Sequence, residues 1–553
     1  MGALAQSHPG LTTCQKQTVV SSFVADVFYQ DPKTLVDSFR GTSFNTIATI
    51  LAWSVFEKEH GHVDISMYYP QLDALTKAGY CLIVLIDTSG RVIRSDVAKL
   101  LVKDISTIPQ SSRPDWIEKL AKNPNSIDFS GAPGSTLDFE DVDSFSLVKN
   151  VYVSILRMLH HRYGNNIVGI SPCITSECEV KYTQHGFRWQ SYSPTSQKAF
   201  RTQLANWGLK PVDMPVMNYG THLSNGNPRV QPMYPYLQRF REHSLRNYVC
   251  ALTQIIRDAS FKSIGYFGQT FTLGDGIYAS GVIEKASSCF DIAAIDYNFY
   301  NGHGIEFKPD IPAFLADYGL ALGYKQVLIG LYMERFRDEK SLVVDRRGYE
   351  ILHDSLARIH PDERLAGVEI GNLTGDEFRS LGYVKKLVAT KTIHTKVSSL
   401  KTKTVALYAS VGNSYLWEGE WSNERQLLQD NLVATYSALK AILGIRLEIV
   451  TDEQMRERPW TLSQFDLIVL PHISAMPDDA RSALIRYAAL GGRLLADMRP
   501  DAYHLDGSVQ IDGELRSVLG VGAVQAFSAP YSVMDGTKTI TISKQNQYID
   551  GLH

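Results

Sequence analysis

Along the first 400 residues, short runs rich in β-branched and aromatic residues alternate with stretches whose apolar positions fall at helical spacing. Eight such runs stand out: 22–29 (SFVADVFY), 44–53 (FNTIATILAW), 80–87 (YCLIVLID), 166–173 (NIVGISPC), 263–268 (SIGYFG), 290–297 (FDIAAIDY), 326–333 (QVLIGLYM) and 365–372 (LAGVEIGN). Helix-length segments separate most of them. In 240–259, Leu245, Val249, Leu252, Ile255 and Ile256 share one helical face. The alternation predicts an α/β fold with parallel strands. Eight strand–helix units in about 370 residues predict a (β/α)8 TIM barrel with long insertions after strands three and four. An open, doubly wound sheet of eight strands is the alternative.

The chain turns Lys/Thr/Ser-rich over 390–403 (TKTIHTKVSSLKTK), as a connector does. A second pattern follows, with strands at 405–410, 446–450, 465–471 and 493–497 and helices over 423–443 and 478–490. It predicts a flavodoxin-like three-layer α/β domain. The expected units are a barrel over 1–390, a linker over 391–403, the second domain over 404–525 and a short β-rich tail over 526–553.

Composition narrows the function classes. The 553 residues carry 55 Lys+Arg against 58 Asp+Glu, a net charge of -3, which leaves no basic footprint for nucleic acid. An apolar content of 44% allows a sizeable core and argues against disorder. No run of about 18 apolar residues predicts a membrane span. The six cysteines (Cys14, Cys81, Cys173, Cys178, Cys250, Cys289) have no CxxC spacing, so they read as buried free thiols, with neither a disulfide framework nor a structural zinc expected. The chain opens with Ala3-Leu4-Ala5 before Gln6, similar to the small-residue end of an export signal, which leaves a cytoplasmic and an exported location both open.

In a parallel barrel the reactive groups sit at the C-terminal ends of the strands. The fourth run ends in Cys173-Ile174-Thr175-Ser176-Glu177 and the seventh in Tyr332-Met333-Glu334-Arg335. Two glutamates at those rims are expected to face each other across the mouth. That pairing suits retaining glycoside hydrolysis, in which carboxyl groups about 5–5.5 Å apart act as acid/base and nucleophile. Glu177 is the expected acid/base and Glu334 the expected nucleophile. Glu179 is the rival on the first loop, and Glu369, inside the eighth strand, is a weaker rival to Glu334.

These features resemble the clan of (β/α)8 glycosidases with catalytic glutamates on strands four and seven, and within it the family 42 β-galactosidases. Ala52-Trp53 followed by Glu57, Gly61 and Asp64 is similar to that family's second-strand segment, and 72–79 (LDALTKAG) to its next helix. Ser176-Glu177, with Ala199-Phe200-Arg201 and Trp207-Gly208 beyond it, resembles the acid/base loop and its following helix. The segment from Phe240-Arg241 to Ile255-Ile256-Arg257, and then Asp291 to Tyr297, resembles the approach to strand six. The second domain resembles the glutamine-amidotransferase-like domain used for trimer contacts. The chain departs from the family in having Ser176 where Asn precedes the acid/base and contacts the sugar 2-hydroxyl. It also lacks the zinc-binding cysteine cluster. The resemblance implies a β-linked glycan as substrate, and a catalytically weak carbohydrate-binding or scaffold protein on the same fold is the alternative.

Around the two glutamates, Trp53, Trp116 and Tyr297 are expected to offer rings for sugar C–H faces. Asp87 and Asp296 are expected to accept from sugar hydroxyls, and Ser176, Asn298 and Arg335 to complete the substrate contacts. No HExxH, P-loop lysine or strand-linked GxGxxG occurs, so no metal and no cofactor is expected. No cysteine follows Cys289, so the second domain lacks an amidotransferase nucleophile and is expected to mediate a dimer or trimer. The expected partners are an oligo- or polysaccharide substrate and other copies of the chain, with no nucleic acid and no membrane.

Overall fold

The computed structural model describes residues 13–24, 30–93, 109–121, 124–182, 190–216, 223–224, 227–228, 230–268, 283–298, 309–333, 346–359, 364–371, 403–416, 423–497, 499–510, 513–525, 531–535, 538–542 and 549–552. All eight expected strands form. They are β1 (Val19–Val24), β2 (Thr46–Ala52), β3 (Cys81–Asp87), β4 (Ile167–Cys173), β5 (Ile264–Gly268), β6 (Ile292–Asn298), β7 (Gln326–Tyr332) and β8 (Leu365–Gly371). They pair in parallel in the order β4-β3-β2-β1-β8-β7-β6-β5. An Ile170–Ser263 bridge brings the two ends of this sheet together. The sheet is thus a nearly closed barrel rather than an open doubly wound one. β1 begins three residues before the expected run, whose last five residues lie outside the described residues.

The helices around the barrel are α1 (Pro32–Phe39), α2 (Tyr69–Lys77), α3 (Val142–Tyr163), α4 (Pro194–Asn206), α5 (Tyr234–Asp258), α6 (Ile311–Ala321) and α7 (Arg346–Arg358). Proline stands in the first turn of α1, α2, α4, α5 and α6, where its missing N–H costs no helical hydrogen bond. Asp31, Asp141 and Ser193 cap α1, α3 and α4 through their side-chain oxygens. Leu237, Leu245, Val249, Leu252 and Ile256 of α5 are buried, as the helical spacing predicts. The strands are apolar on both faces because helices cover the outside while side chains fill the barrel. Inside, Val19, Ala48, Ile83, Leu85, Val168, Ile264, Ala294 and Leu328 belong to one buried cluster, distinct from the larger cluster under the helices.

All six cysteines are paired, which corrects the expectation of free thiols. Disulfides join Cys14 to Cys81, Cys173 to Cys178 and Cys250 to Cys289, with Cα separations of 5.8, 4.0 and 4.9 Å. Spacing along the chain gave no hint because two of the pairs join residues 67 and 39 positions apart. It is the barrel that brings Cys81, at the start of β3, beside Cys14, and Cys250 of α5 beside Cys289 at the approach to β6.

A second parallel sheet holds β9 (Lys403–Ala409), β10 (Ile445–Thr451), β11 (Leu467–Leu470) and β12 (Leu494–Ala496) in the order β10-β9-β11-β12. Its main helices are α8 (Asn423–Ala441) and α9 (Asp478–Ala489). It docks on the barrel through apolar packing, as of Tyr436 edge-on against Phe314, and through polar contacts. Tyr436 donates to Asp317 (2.8 Å), Ser437 to Asp310 (2.6 Å), Gln454 to the Ala321 carbonyl (2.7 Å), and Lys285 pairs with Glu453. A cavity of about 710 Å³ lies at this joint. Three carboxylates lining it each receive a tyrosine hydroxyl: half-buried Glu242 from Tyr415, and buried Glu284 and Asp452 from Tyr318 and Tyr408. No described helix is long and apolar enough to cross a membrane.

Candidate active site

Three acidic side chains and one lysine are buried where the strands of the barrel end. Glu369 of β8 is wholly buried, Asp296 of β6 is 4% exposed, and Glu179 and Lys181, beyond β4, are 6% and 5% exposed. Burying four ionisable groups together is costly unless they are paired or neutralised. How each one is accommodated defines the site.

Glu369 accepts hydrogen bonds from Ser21 Oγ (3.0 Å), Tyr266 OH (2.9 Å) and Tyr332 OH (3.0 Å). Their strands β1, β5 and β7 surround it. Burial still dominates those three bonds, and the carboxyl is pushed up to about 7. Strand register aligns Glu369 with Gly330 of β7, Gly330 with Asp296, and Asp296 with Gly268 of β5. Asp296 therefore lies between two glycines, and the missing side chains are where the carboxylates rest. A Cβ on Gly330 would stand 2.2 Å from Asp296 Oδ1, and one on Gly268 would stand 2.0 Å from Glu179 Oε1. Burial, then the negative charges of Glu179 and Glu369, hold the Asp296 carboxyl far above its usual range. Its Oδ1 has no hydrogen-bond partner among the described residues.

Glu179 reaches the barrel because of the tight loop that follows β4. The Cys173–Cys178 disulfide closes that loop, and Cys178 turns the chain at φ 62°. The Cys178 N–H bonds the Thr175 carbonyl (2.9 Å), while Thr175 Oγ1 accepts from the Glu179 N–H (3.1 Å) and donates to its carbonyl (3.0 Å). The Val180 N–H then bonds the Tyr266 carbonyl (2.7 Å), laying the segment along β5. Lys181 Nζ lies 2.5 Å from Glu179 Oε2 and 3.5 Å from Glu177 Oε2.

The expected acid/base, Glu177, is 56% exposed on the outside of this loop, and Glu179 is the glutamate aimed into the barrel. The left-handed turn at Cys178 separates the two. Ser176 is half-buried beside Glu177. Glu334 and Arg335 lie outside the described residues. Tyr297 and Asn298 fall at the end of β6, but their side chains are likewise outside the described set.

Two expected substrate contacts are corrected. Trp53 is wholly buried: its Nε1 donates to Glu57 Oε2 (2.5 Å) and its ring packs edge-on against Trp116, so it has no open face for a sugar. Asp87 is also wholly buried and already engaged by Ser89, Ser112 and Arg91. Trp116 is half-buried, donating to the Glu57 carbonyl (3.1 Å), with the His60 ring 4.7 Å away. Among the described residues, the grouping with metal-ligand geometry is Asp87, Cys173 and Cys178, and its two sulfurs are bonded to each other.

Reading strand ends alone missed Lys181, Tyr266 and Tyr332. Tyr332 ends its strand and Lys181 follows Glu179 by two, so both were within reach of that reading.

No protein-family model and no curated protein matches the chain. Solved structures do. A cold-adapted β-galactosidase from Rahnella sp. R3 covers 95% of this chain and 78% of its own, at a TM-score of 0.66 and 13% identity. A catalytic mutant of a GH42 β-galactosidase from G. stearothermophilus covers 96% and 80%, at 0.66 and 13%. The fold is that of these β-galactosidases. An exo-β-1,4-mannosidase from Opitutaceae bacterium strain TAV5 is also similar, covering 96% of this chain and 86% of its own at a TM-score of 0.52 and 12% identity. The match to the galactosidases takes in both the barrel and the second sheet.

Proposed function

We propose that this protein is a retaining glycoside hydrolase acting on a β-linked glycan, with Glu179 as acid/base and Glu334 as nucleophile. The observation that carries the reading is the burial of Glu179 against Lys181 and Asp296 at the mouth of a barrel shared with β-galactosidases. Retaining hydrolysis needs one carboxyl to protonate the departing oxygen and another to attack the anomeric carbon. A water-excluded acid surrounded by charged neighbours suits the first role, because its proton affinity is set by groups the protein fixes. The glutamate after β7 stays the nucleophile of this reading on its strand-end position.

The test is a panel of aryl and alkyl β-glycosides assayed with the parent, Glu177→Gln, Glu179→Gln and Glu334→Ala. A loss of ~10²–10⁴-fold at Glu179 and Glu334 but not at Glu177, with azide restoring Glu334→Ala, supports the assignment. Loss at Glu177 alone would return the acid/base role to that residue. Glycan binding without turnover would favour the non-catalytic alternative. The three disulfides fit an oxidising compartment, so export belongs to this reading. Self-association through the second domain does too. Leu443, Trp460, Leu490 and Leu495 are all more than half exposed there, and light scattering on the purified chain reads the oligomer directly.

A further inference from the structure

We propose that Asp296 is the proton-holding partner of Glu179, a positioning residue that supplies through Glu179 the proton given to the departing glycosidic oxygen. The inference rests on the hydrolase reading and assigns Asp296 a role other than contact with a sugar hydroxyl.

The geometry leads there in three steps. Asp296 and Glu179 come from different parts of the barrel and occupy adjacent places: the Glu179 carboxylate rests over Gly268, the register partner of Asp296 on one side, and Asp296 Oδ1 rests over Gly330, its register partner on the other. Both are buried, and two like charges in one dry site are not held together when one proton can relieve them. Their neighbours are asymmetric. Lys181 Nζ, at 2.5 Å, favours the ionised form of Glu179. Asp296 faces Glu179 and Glu369 as negative groups and Tyr266 and Tyr332 as neutral hydroxyls, and Lys181 acts on it from farther away. The two tyrosine hydroxyls are committed to Glu369, and Asp296 Oδ1 has no hydrogen-bond partner among the described residues. The single proton of the pair therefore rests on Asp296, and burial raises its affinity in the same direction.

During bond breaking the one proton moves from Asp296 to Glu179 and on from Glu179 to the glycosidic oxygen as its bond to the anomeric carbon breaks. Both carboxylates are then ionised, with Lys181 offsetting one. When water attacks the glycosyl intermediate, Glu179 takes its proton and the proton returns to Asp296. No other reactant is needed.

The experiment is Asp296→Asn assayed on paired substrates, a dinitrophenyl glycoside that departs without protonation and an alkyl glycoside that needs it. The expected result is a ~10²-fold or greater fall in kcat for the alkyl substrate, under ~10-fold for the dinitrophenyl one, and an alkaline limb of kcat/KM moved to lower pH. Equal loss on both substrates through KM, with the limb unmoved, would overturn the proposal and make Asp296 a hydroxyl ligand. Asp296→Ser carries the same expectation should the amide variant misfold. Infrared spectroscopy of the parent at neutral pH supplies a readout free of turnover. In the difference between parent and Asp296→Asn, one dry, protonated carboxylic-acid carbonyl band is expected to be lost, over the intensity that Glu369 and the other buried acids contribute, and that band is expected to persist in Glu369→Gln. An Asp296→Asn spectrum that loses no carbonyl intensity relative to the parent overturns the proposal even if the enzyme is active. A parent that shows the band but cleaves no glycoside overturns the hydrolase reading instead.

Discussion

Lys181 Nζ lies 2.5 Å from Glu179 Oε2, and the two side chains are 6% and 8% exposed. A pair this dry contributes little relative to an apolar replacement, yet removing one partner strands the other. Lys181→Met is expected to destabilise the protein by about 3–5 kcal/mol. Lys181→Met combined with Glu179→Gln is expected to recover most of that loss. Urea midpoints across the double-mutant cycle check it, and additive losses would show that the two side chains do not interact.

Gly268 is expected to be indispensable to activity and dispensable to the barrel. An alanine there puts a Cβ 2.0 Å from Glu179 Oε1, so the carboxylate must move while the strand keeps its pairing. A displacement of about 1 Å in a reacting group costs on the order of 10²-fold in rate. Gly268→Ala should show that loss in kcat with an unchanged circular dichroism spectrum. An unchanged kcat would place the chemistry away from this seat.

Stability should fall as pH rises from about 4.5 to about 7. Glu369 has its carboxyl raised from 4.5 to about 7 by burial. Between those values the unfolded chain has released this proton and the folded one still binds it, so the stabilising contribution is complete below the lower value and is lost through the upper one. Its size is on the order of 3 kcal/mol, and Asp296, also raised, adds in the same sense. Denaturation midpoints measured from pH 4 to pH 8 in the parent and Glu369→Gln check this. The variant should show a flatter profile.

The disulfides should separate stability from activity. By chain entropy, the Cys14–Cys81 link, spanning 67 residues, contributes about 4 kcal/mol, and the Cys173–Cys178 link, spanning 5, about 2 kcal/mol. Serine replacement of the first pair is expected to lower the melting temperature more. Replacement of the second is expected to lower kcat more, because that loop presents Glu179. Mass spectrometry of an unreduced digest checks the three pairings themselves.

The barrel was legible in the sequence because its strands are mostly apolar runs flanked by helical spacing. Ile83 to Ile86, for example, fits no exposed position. The site was legible only in part. Strand-end reading named Asp296, Glu179 and Glu369, which the structure buries together at the barrel's end, on position alone. It preferred Glu177 over Glu179 because nothing in the residue order says that Cys178 turns left-handed or bonds Cys173. Trp53 was misjudged for a similar reason: an aromatic ring at a strand end faces a sugar or packs inward according to its neighbours, and here Trp116 and Glu57 enclose it. Distant partners such as Cys14 and Cys81 become neighbours only once the strands are in register.

The sulfur bridge ahead of Glu179 has a consequence for the life of the protein in its host. The loop that carries Glu179, the acid of the proposed reading, is closed by a bond that forms when the Cys173 and Cys178 thiols give up two electrons. Under the proposed hydrolase reading, oxidation would then act as a maturation step. Hydrolysis would then begin where the surroundings are oxidising rather than where the chain is made.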